Sequence, residues 1–205
     1  LVRLCRDNGI KVVGYYSLIY NNWAEINHPE WKMIGPDGKT QREKGGRYGF
    51  ACPNNEDYRA FVAEQIKEIS ENFELDGMFY DMPFWPENCR CSSCRERWKK
   101  EVGGNMPDLS DLSPQFKTYA KKLQEWMAEF CAFVAEKTHE IMPGVTIEFN
   151  NAGIIAFGWN AGSTEKISDL ADYAGGDLYG DLAAHSFSCK YYYSVTQNQP
   201  FEYMN

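Results

Sequence analysis

The 205-residue chain contains no run of 18 apolar residues, so no segment is long enough to cross a bilayer as a helix. Cations are scarce: 21 Lys and Arg stand against 29 Asp and Glu, a net charge of -8. Phosphate binding needs clustered cations, and this balance excludes a nucleic-acid partner. No GxGxxG or GxxxxGK[ST] segment occurs, which argues against a nucleotide loop and leaves no organic cofactor implied. The chain opens on LVRLCRDNGIKVV, with neither an initiator Met nor a signal-peptide pattern, and is expected to be a piece of a longer protein. A disulfide framework is not expected either. The seven cysteines are odd in number and four of them have spacings that suit metal. Free or metal-bound thiols favour a reducing, cytoplasmic compartment.

What is present alternates between strand and helix. KVVGYYSLIY (11–20) is a β-branched and aromatic run bounded by Asn21 and Asn22, the pattern of a buried strand. A long βα loop over 21–51 follows, and loops of that length in compact domains are usually functional. Asn55 can cap the next helix, whose Val62, Ile66, Ile69 and Phe73 recur at helical spacing. LDGMFYD (75–81) is apolar until its last residue, as in a parallel strand buried on both faces. After a cysteine-bearing βα loop (82–112), Ser113-Pro114 opens a long helix. Its stripe is Phe116, Tyr119, Leu123, Trp126, Met127, Phe130, Val134 and Ile141, and Pro143-Gly144 stops it. VTIEFNN (145–151) reads as another strand, a short helix lies near 165–170, and ADYAGGDLYGD as a further strand. YYYSVTQ reads as helical and PFEYMN as one more strand start.

This order predicts a parallel α/β sheet of βαβ units. Without a nucleotide loop, a (β/α)8 TIM barrel is the better reading than an open doubly wound sheet, with residues 1–205 forming part of one catalytic barrel domain. Barrels carry their chemistry at the C-terminal strand ends. Those ends hold Tyr16 and Ser17, Asp81, Glu148 with Asn150 and Asn151, Asp177 with Tyr179, and Glu202. A carboxylate that closes an apolar strand is costly to bury unless it has work or partners. Glycoside hydrolysis uses two carboxyl groups. Asp81 is the first candidate, and its partner stays open among Glu148, Glu202 and Asp177. Trp23, Trp31 and Trp85 fall in predicted βα loops, where aromatic rings can stack on sugar faces, and His28 beside Trp31 can bond a hydroxyl. These residues form the expected carbohydrate-binding set with Tyr16, Asn150, Asn151, Asp177 and Tyr179.

Cys89-Arg-Cys91-Ser-Ser-Cys94 places three thiols within six residues, and Cys52 precedes the helix that leads into the Asp81 strand. Four thiolates suit a structural zinc. They leave no open position for water, so no catalytic role is expected of the metal.

HPEW, ACPNNEDYRAFVAEQIKEI and LDGMFYDMPFWPENCRCSSCRERW resemble a group of glycoside hydrolases related to α-L-fucosidases. The cysteine arrangement resembles the structural zinc site of zinc-containing β-galactosidases. The match is specific in the DGxxxD and CxCxxC segments and looser beyond residue 145. KVVGYYSLIYNNW is similar to the third strand of these barrels, which implies an incomplete barrel of about strands 3 to 7. The resemblance implies a retaining glycosidase with Asp81, at the end of the fourth strand, as nucleophile. The β-galactosidases end that strand in a Glu preceded by Asn, whereas this chain has Tyr80-Asp81, which favours the fucosidase-like reading. A β-galactosidase-like enzyme and a non-catalytic carbohydrate-binding barrel are the alternatives, and the oligomeric state stays open.

Overall fold

A computed structural model describes residues 1–107, 114–151, 161–162, 164–196, 199–202 and 204. The end of the 82–112 loop, the helix start at Ser113, and Gln197, Tyr203 and Asn205 of the expected C-terminal elements lie outside the described residues. The chain is a mixed α/β fold around a parallel sheet of three strands: β1 (Val13–Ser17), β2 (Gly77–Asp81) and β3 (Thr146–Phe149). Helix α1 (Val2–Asp7) precedes β1. The turn between them passes through Gly9 at φ 69°, a backbone conformation that favours glycine.

Register fixes which side chains share a face. Tyr15 lies opposite Phe79, Ser17 opposite Asp81, and Phe79 opposite Glu148. Beyond β3, isolated parallel bridges continue the sheet: Asn150 to Gly175, then Ala174 to Phe201 and Asp177 to Met204. Each new segment is added beside its predecessor and the order never reverses. An open doubly wound sheet reverses at its switch point, and no reversal occurs among the described residues.

Two crossover helices cover one face. In α3 (Glu56–Asn72) the side chain of Asn55 accepts a hydrogen bond from the Tyr58 amide at 2.9 Å, while Glu56 and Asp57 suit the positive end of the helix dipole. Its buried side is Tyr58, Arg59, Val62 and Ile66. Ile69 packs only partly, and Phe73, expected on the same stripe, is 50% exposed because the helix ends before it. In α5 (Pro114–Ile141), Tyr119, Leu123, Trp126, Met127, Phe130 and Val134 are fully buried, as their spacing requires. These side chains join Met78, Tyr80, Ile147 and Phe149 of the sheet in one core. Tyr80 also reaches Thr138 of α5 at 2.5 Å.

The expected loop over 21–51 has structure of its own. It holds α2 (Asn22–Asn27), capped by Asn21, and a 3-10 turn at Pro29–Trp31. Antiparallel bridges from Tyr20 to Phe50 and from Lys32 to Ala51 close its base. A further helix, α4 (Ser92–Glu101), begins within the cysteine segment, and α6 (Glu165–Ser168) and α7 (Leu182–Val195) follow β3.

Candidate active site

Asp81, the last residue of β2, is 5% exposed and receives hydrogen bonds on both carboxyl oxygens. Its Oδ1 accepts from Asn150 Nδ2 at 2.6 Å and from the Met82 amide at 2.9 Å. Its Oδ2 accepts from the Tyr15 hydroxyl at 2.5 Å. Met82 holds φ at 59°, the one non-glycine residue with positive φ among those described. Such strain next to a charged side chain occurs where surrounding structure over-determines the backbone.

Asn150 ties Asp81 to a second carboxylate. Its Nδ2 also donates to Asp177 Oδ2 at 2.9 Å, and its Oδ1 accepts from the Asp177 amide at 3.1 Å. The amide orientation therefore follows from its partners: nitrogen toward the two carboxylates, oxygen toward an N–H. Tyr179, 75% exposed, sits against Asp177, whose negative charge raises the Tyr179 pKa.

Glu148 shares the sheet face of Asp81 and Asn150 and is 1% exposed. Burial, then the neighbouring Glu202 carboxyl and the charge of Asp177, push its pKa up from 4.5 to about 8. Among the described residues no donor satisfies Glu148 Oε1. Gly175 lets this arrangement close. A Cβ there would stand 2.6 Å from the Glu202 carbonyl oxygen and 2.8 Å from Glu148 Oε1, nearer than real Cβ atoms come. Glu202 is exposed, and neither it, Glu148, Asp81 nor Asp177 forms an ion pair among the described residues. The cluster is thus four carboxyl groups, one of which keeps its proton at neutral pH.

Several expected binding residues fall elsewhere. Tyr16 points to the helix side, edge-on to Tyr80 at 6.4 Å, because strand alternation gives the site face to Tyr15 instead. Trp85 is 1% exposed, with its indole N–H on the Leu123 carbonyl at 2.9 Å, and belongs to the core. Trp31 is 6% exposed, with the His28 ring stacked on it at 3.6 Å; His28 Nδ1 also lies 3.2 Å from Glu30. Asn151 faces away from the cluster and donates to Ser168 Oγ at 2.8 Å. Trp23 is 53% exposed and stacks on Phe61 of α3 at 5.3 Å. The structure therefore brings together Asp81, Glu148, Asn150, Asp177, Tyr179 and Glu202. It adds Tyr15, and Tyr20, whose pKa burial and the charge of Asp81 raise to about 12. Parity groups Tyr15 with Ser17 on one face of β1, but only the pairing of Ser17 with Asp81 places that face at the site.

The sulfurs of Cys52, Cys89, Cys91 and Cys94 are buried and lie within 4.8 Å of one another. Cys52 is 3.5 Å from Cys91 and from Cys94. Disulfides hold sulfurs at about 2.05 Å, so these are four free thiols. A tetrahedral zinc with bonds of about 2.3 Å sets its sulfurs roughly 3.8 Å apart, and the cluster matches that spacing. Asn54 donates to Cys94 Sγ at 3.3 Å and in turn accepts from Arg97 at 3.0 Å. A cation linked through an amide suits the net negative charge of a four-thiolate metal centre.

The fold and this site together define a singly wound parallel α/β unit with a carboxyl cluster at its strand ends. A family model described as "Hypothetical glycosyl hydrolase 6" matches residues 1–82, less than half of the chain. No curated protein matches it. Among solved structures, the chain is similar to β-galactosidase from Rahnella sp. R3 (15% identity, TM-score 0.68, 100% of this chain and 36% of that one). It is also similar to α-L-fucosidase isoenzyme 2 from Paenibacillus thiaminolyticus (16%, 0.58, 87% and 30%). A third is the PgaB (BpsB) glycoside hydrolase domain from Bordetella bronchiseptica (12%, 0.67, 86% and 53%). At these identities the likeness is one of fold, and the chain spans about a third to a half of the length of these structures.

Proposed function

We propose that the protein is a glycoside hydrolase that cleaves a terminal sugar by a retaining mechanism. Asp81 is the nucleophile, and Glu148 is the acid that protonates the departing oxygen and then deprotonates water. The observation that carries this reading is the contrast between the two carboxyls. Asp81 has donors on both oxygens, whereas Glu148 is buried beside Glu202 and holds its proton up to about pH 8. Pairs of acids pushed apart in this way mark the acid and the base of a site. Asp177 is engaged twice with Asn150, which suits it to positioning rather than proton transfer. Glu202 raises the pKa of Glu148 and keeps its proton available.

The family model and the glycosidase neighbours support glycoside hydrolysis as the class of reaction. Sequential winding supports an incomplete (β/α)8 barrel, with the three strands and two bridged segments as its middle portion. An aspartate at the end of β2 favours α-L-fucosidase-like specificity, with a β-galactosidase-like one as the second reading. The partner is a carbohydrate. The four cysteines would hold a structural zinc that ties the loop before α3 to the start of α4. With four thiolate ligands it supplies no catalytic water.

The test is hydrolysis of nitrophenyl α-L-fucoside and β-galactoside by the complete protein, with the product anomer followed by NMR. Asp81→Asn is expected to lower kcat/KM on the order of 10⁴-fold with the fold retained, as loss of a nucleophile does. Wild-type turnover in the variant, or an inverted product, would sink this mechanism. Absence of any turnover by the wild type would leave the carbohydrate-binding barrel.

A further inference from the structure

We infer that Tyr15 is the hydrogen-bond donor that receives the negative charge of Asp81 back in the second half of the reaction, and that Asp81 Oδ2 is the attacking oxygen. This inference rests on the retaining reading above. The two oxygens of Asp81 are not equivalent. Oδ1 takes two N–H donors fixed by the scaffold: the Met82 backbone amide, and Asn150, whose orientation its own contacts to Asp177 lock. Among the described residues Oδ2 takes one donor, the Tyr15 hydroxyl, from the neighbouring strand. Tyr15 is 62% exposed on the sheet face that carries Asp81, and its ring stacks on Phe79 at 5.9 Å. Oδ2 is therefore the oxygen beside the accessible face. Burial and the Asp81 carboxylate raise the Tyr15 pKa, so the hydroxyl keeps its proton and remains a donor throughout.

In the first step Oδ2 forms a bond to the anomeric carbon, the bond from that carbon to the leaving oxygen breaks, and the Glu148 proton goes to the leaving oxygen. Oδ2 becomes an ester oxygen, a poorer acceptor, and the Tyr15 hydrogen bond weakens as the barrier is climbed. In the second step a water oxygen bonds to the anomeric carbon and its proton goes to Glu148. The bond from that carbon to Oδ2 breaks, and the electron pair returns to Oδ2. The Tyr15 hydrogen bond now strengthens toward the transition state, where an interaction speeds a reaction. Tyr15 thus costs a little in glycosylation and accelerates deglycosylation, and hydrogen bonds to charged groups are the strong ones.

The consequence is asymmetric. Tyr15→Phe keeps the ring and its stacking on Phe79, so the strand pairing is retained. The variant is expected to retain kcat/KM, which reports glycosylation, within about threefold, while kcat and KM fall together roughly tenfold or more. It is also expected to show a burst of nitrophenol. The covalent adduct formed with a 2-fluoro glycosyl inactivator, located on Asp81 by mass spectrometry, should decay roughly tenfold more slowly in Tyr15→Phe than in wild type. Equal losses in kcat and kcat/KM, or unchanged adduct lifetime, overturn the role of Tyr15 and leave the retaining reading intact. Failure of the wild type to form an adduct at Asp81 overturns both.

Discussion

Glu148 gives the site its pH dependence. A carboxyl whose pKa rises from 4.5 to about 8 on folding binds a proton that the unfolded chain has already released. Between those values the native state carries more protons, so stability falls as pH rises through the window. The cost above the window is on the order of a few kcal/mol, shared with Glu202. Glu148→Gln removes it. Its melting temperature is expected to overtake that of the wild type as pH goes from about 5 to about 8.5, whereas parallel curves would show that Glu148 ionises normally. In turnover the same variant should lose the basic limb near pH 8. Its rate loss should be on the order of 10²–10⁴ for poor leaving groups and far smaller for dinitrophenol, which leaves without a proton. Losses independent of the leaving group would move the acid role to another residue.

At the scale of elements, the cysteine cluster joins two βα segments that are also tied by the Arg90 amide on the Ile34 carbonyl at 2.7 Å and by the Lys44–Glu87 ion pair. Cys52 precedes α3, Cys89 and Cys91 follow β2, and Cys94 lies in the first turn of α4. Metal analysis is expected to find one zinc per chain. Cys94→Ser, or chelation, should lower stability by several kcal/mol, a shift of roughly 10 °C in melting temperature. Full stability without metal would show that thiol packing alone holds the loops. Three of its thiols were legible in the sequence because their spacing is local, and Cys52 because it precedes the helix that leads into β2. So was β2, where an apolar run buried at all five positions left Asp81 as the polar exception. The face of β1 was not legible: Tyr15 and Tyr16 are identical in type, and only pairing with β2 decides which one meets Asp81. The burial of Trp31 and Trp85 was not legible for a similar reason. Burial of Trp85 depends on the Leu123 carbonyl, 38 residues away, a relation no local pattern carries. Glu148, Glu202 and Asp177 were visible as strand-end acids. Their different roles come from burial and from Asn150, which are properties of the assembled site.

At the scale of the whole molecule, one side of the sheet is covered by helices and the other is open along β1, while Phe79, Asp81 and Glu148 on that same side are buried. Helices α3 and α5 cover Met78, Tyr80, Ile147 and Phe149, while Val13 is 49% and Tyr15 62% exposed on the opposite face. Among the described residues, β1 pairs only with β2, so a row of backbone donors and acceptors remains along its free edge. Exposed strand edges next to apolar side chains template pairing with other chains. In a closed barrel both features vanish, because further strands pair the edges and their side chains fill the interior. Residues 1–205 expressed alone are therefore expected to self-associate, with a sedimentation weight that rises with concentration. Extension of the chain until the sheet closes should give a species of fixed mass, with Tyr15 fluorescence shielded from a soluble quencher. A monodisperse 205-residue monomer with a sharp thermal transition would instead mean that the open face is native. In that case the carboxyl cluster would meet its sugar on an exposed shelf, without barrel walls to exclude water.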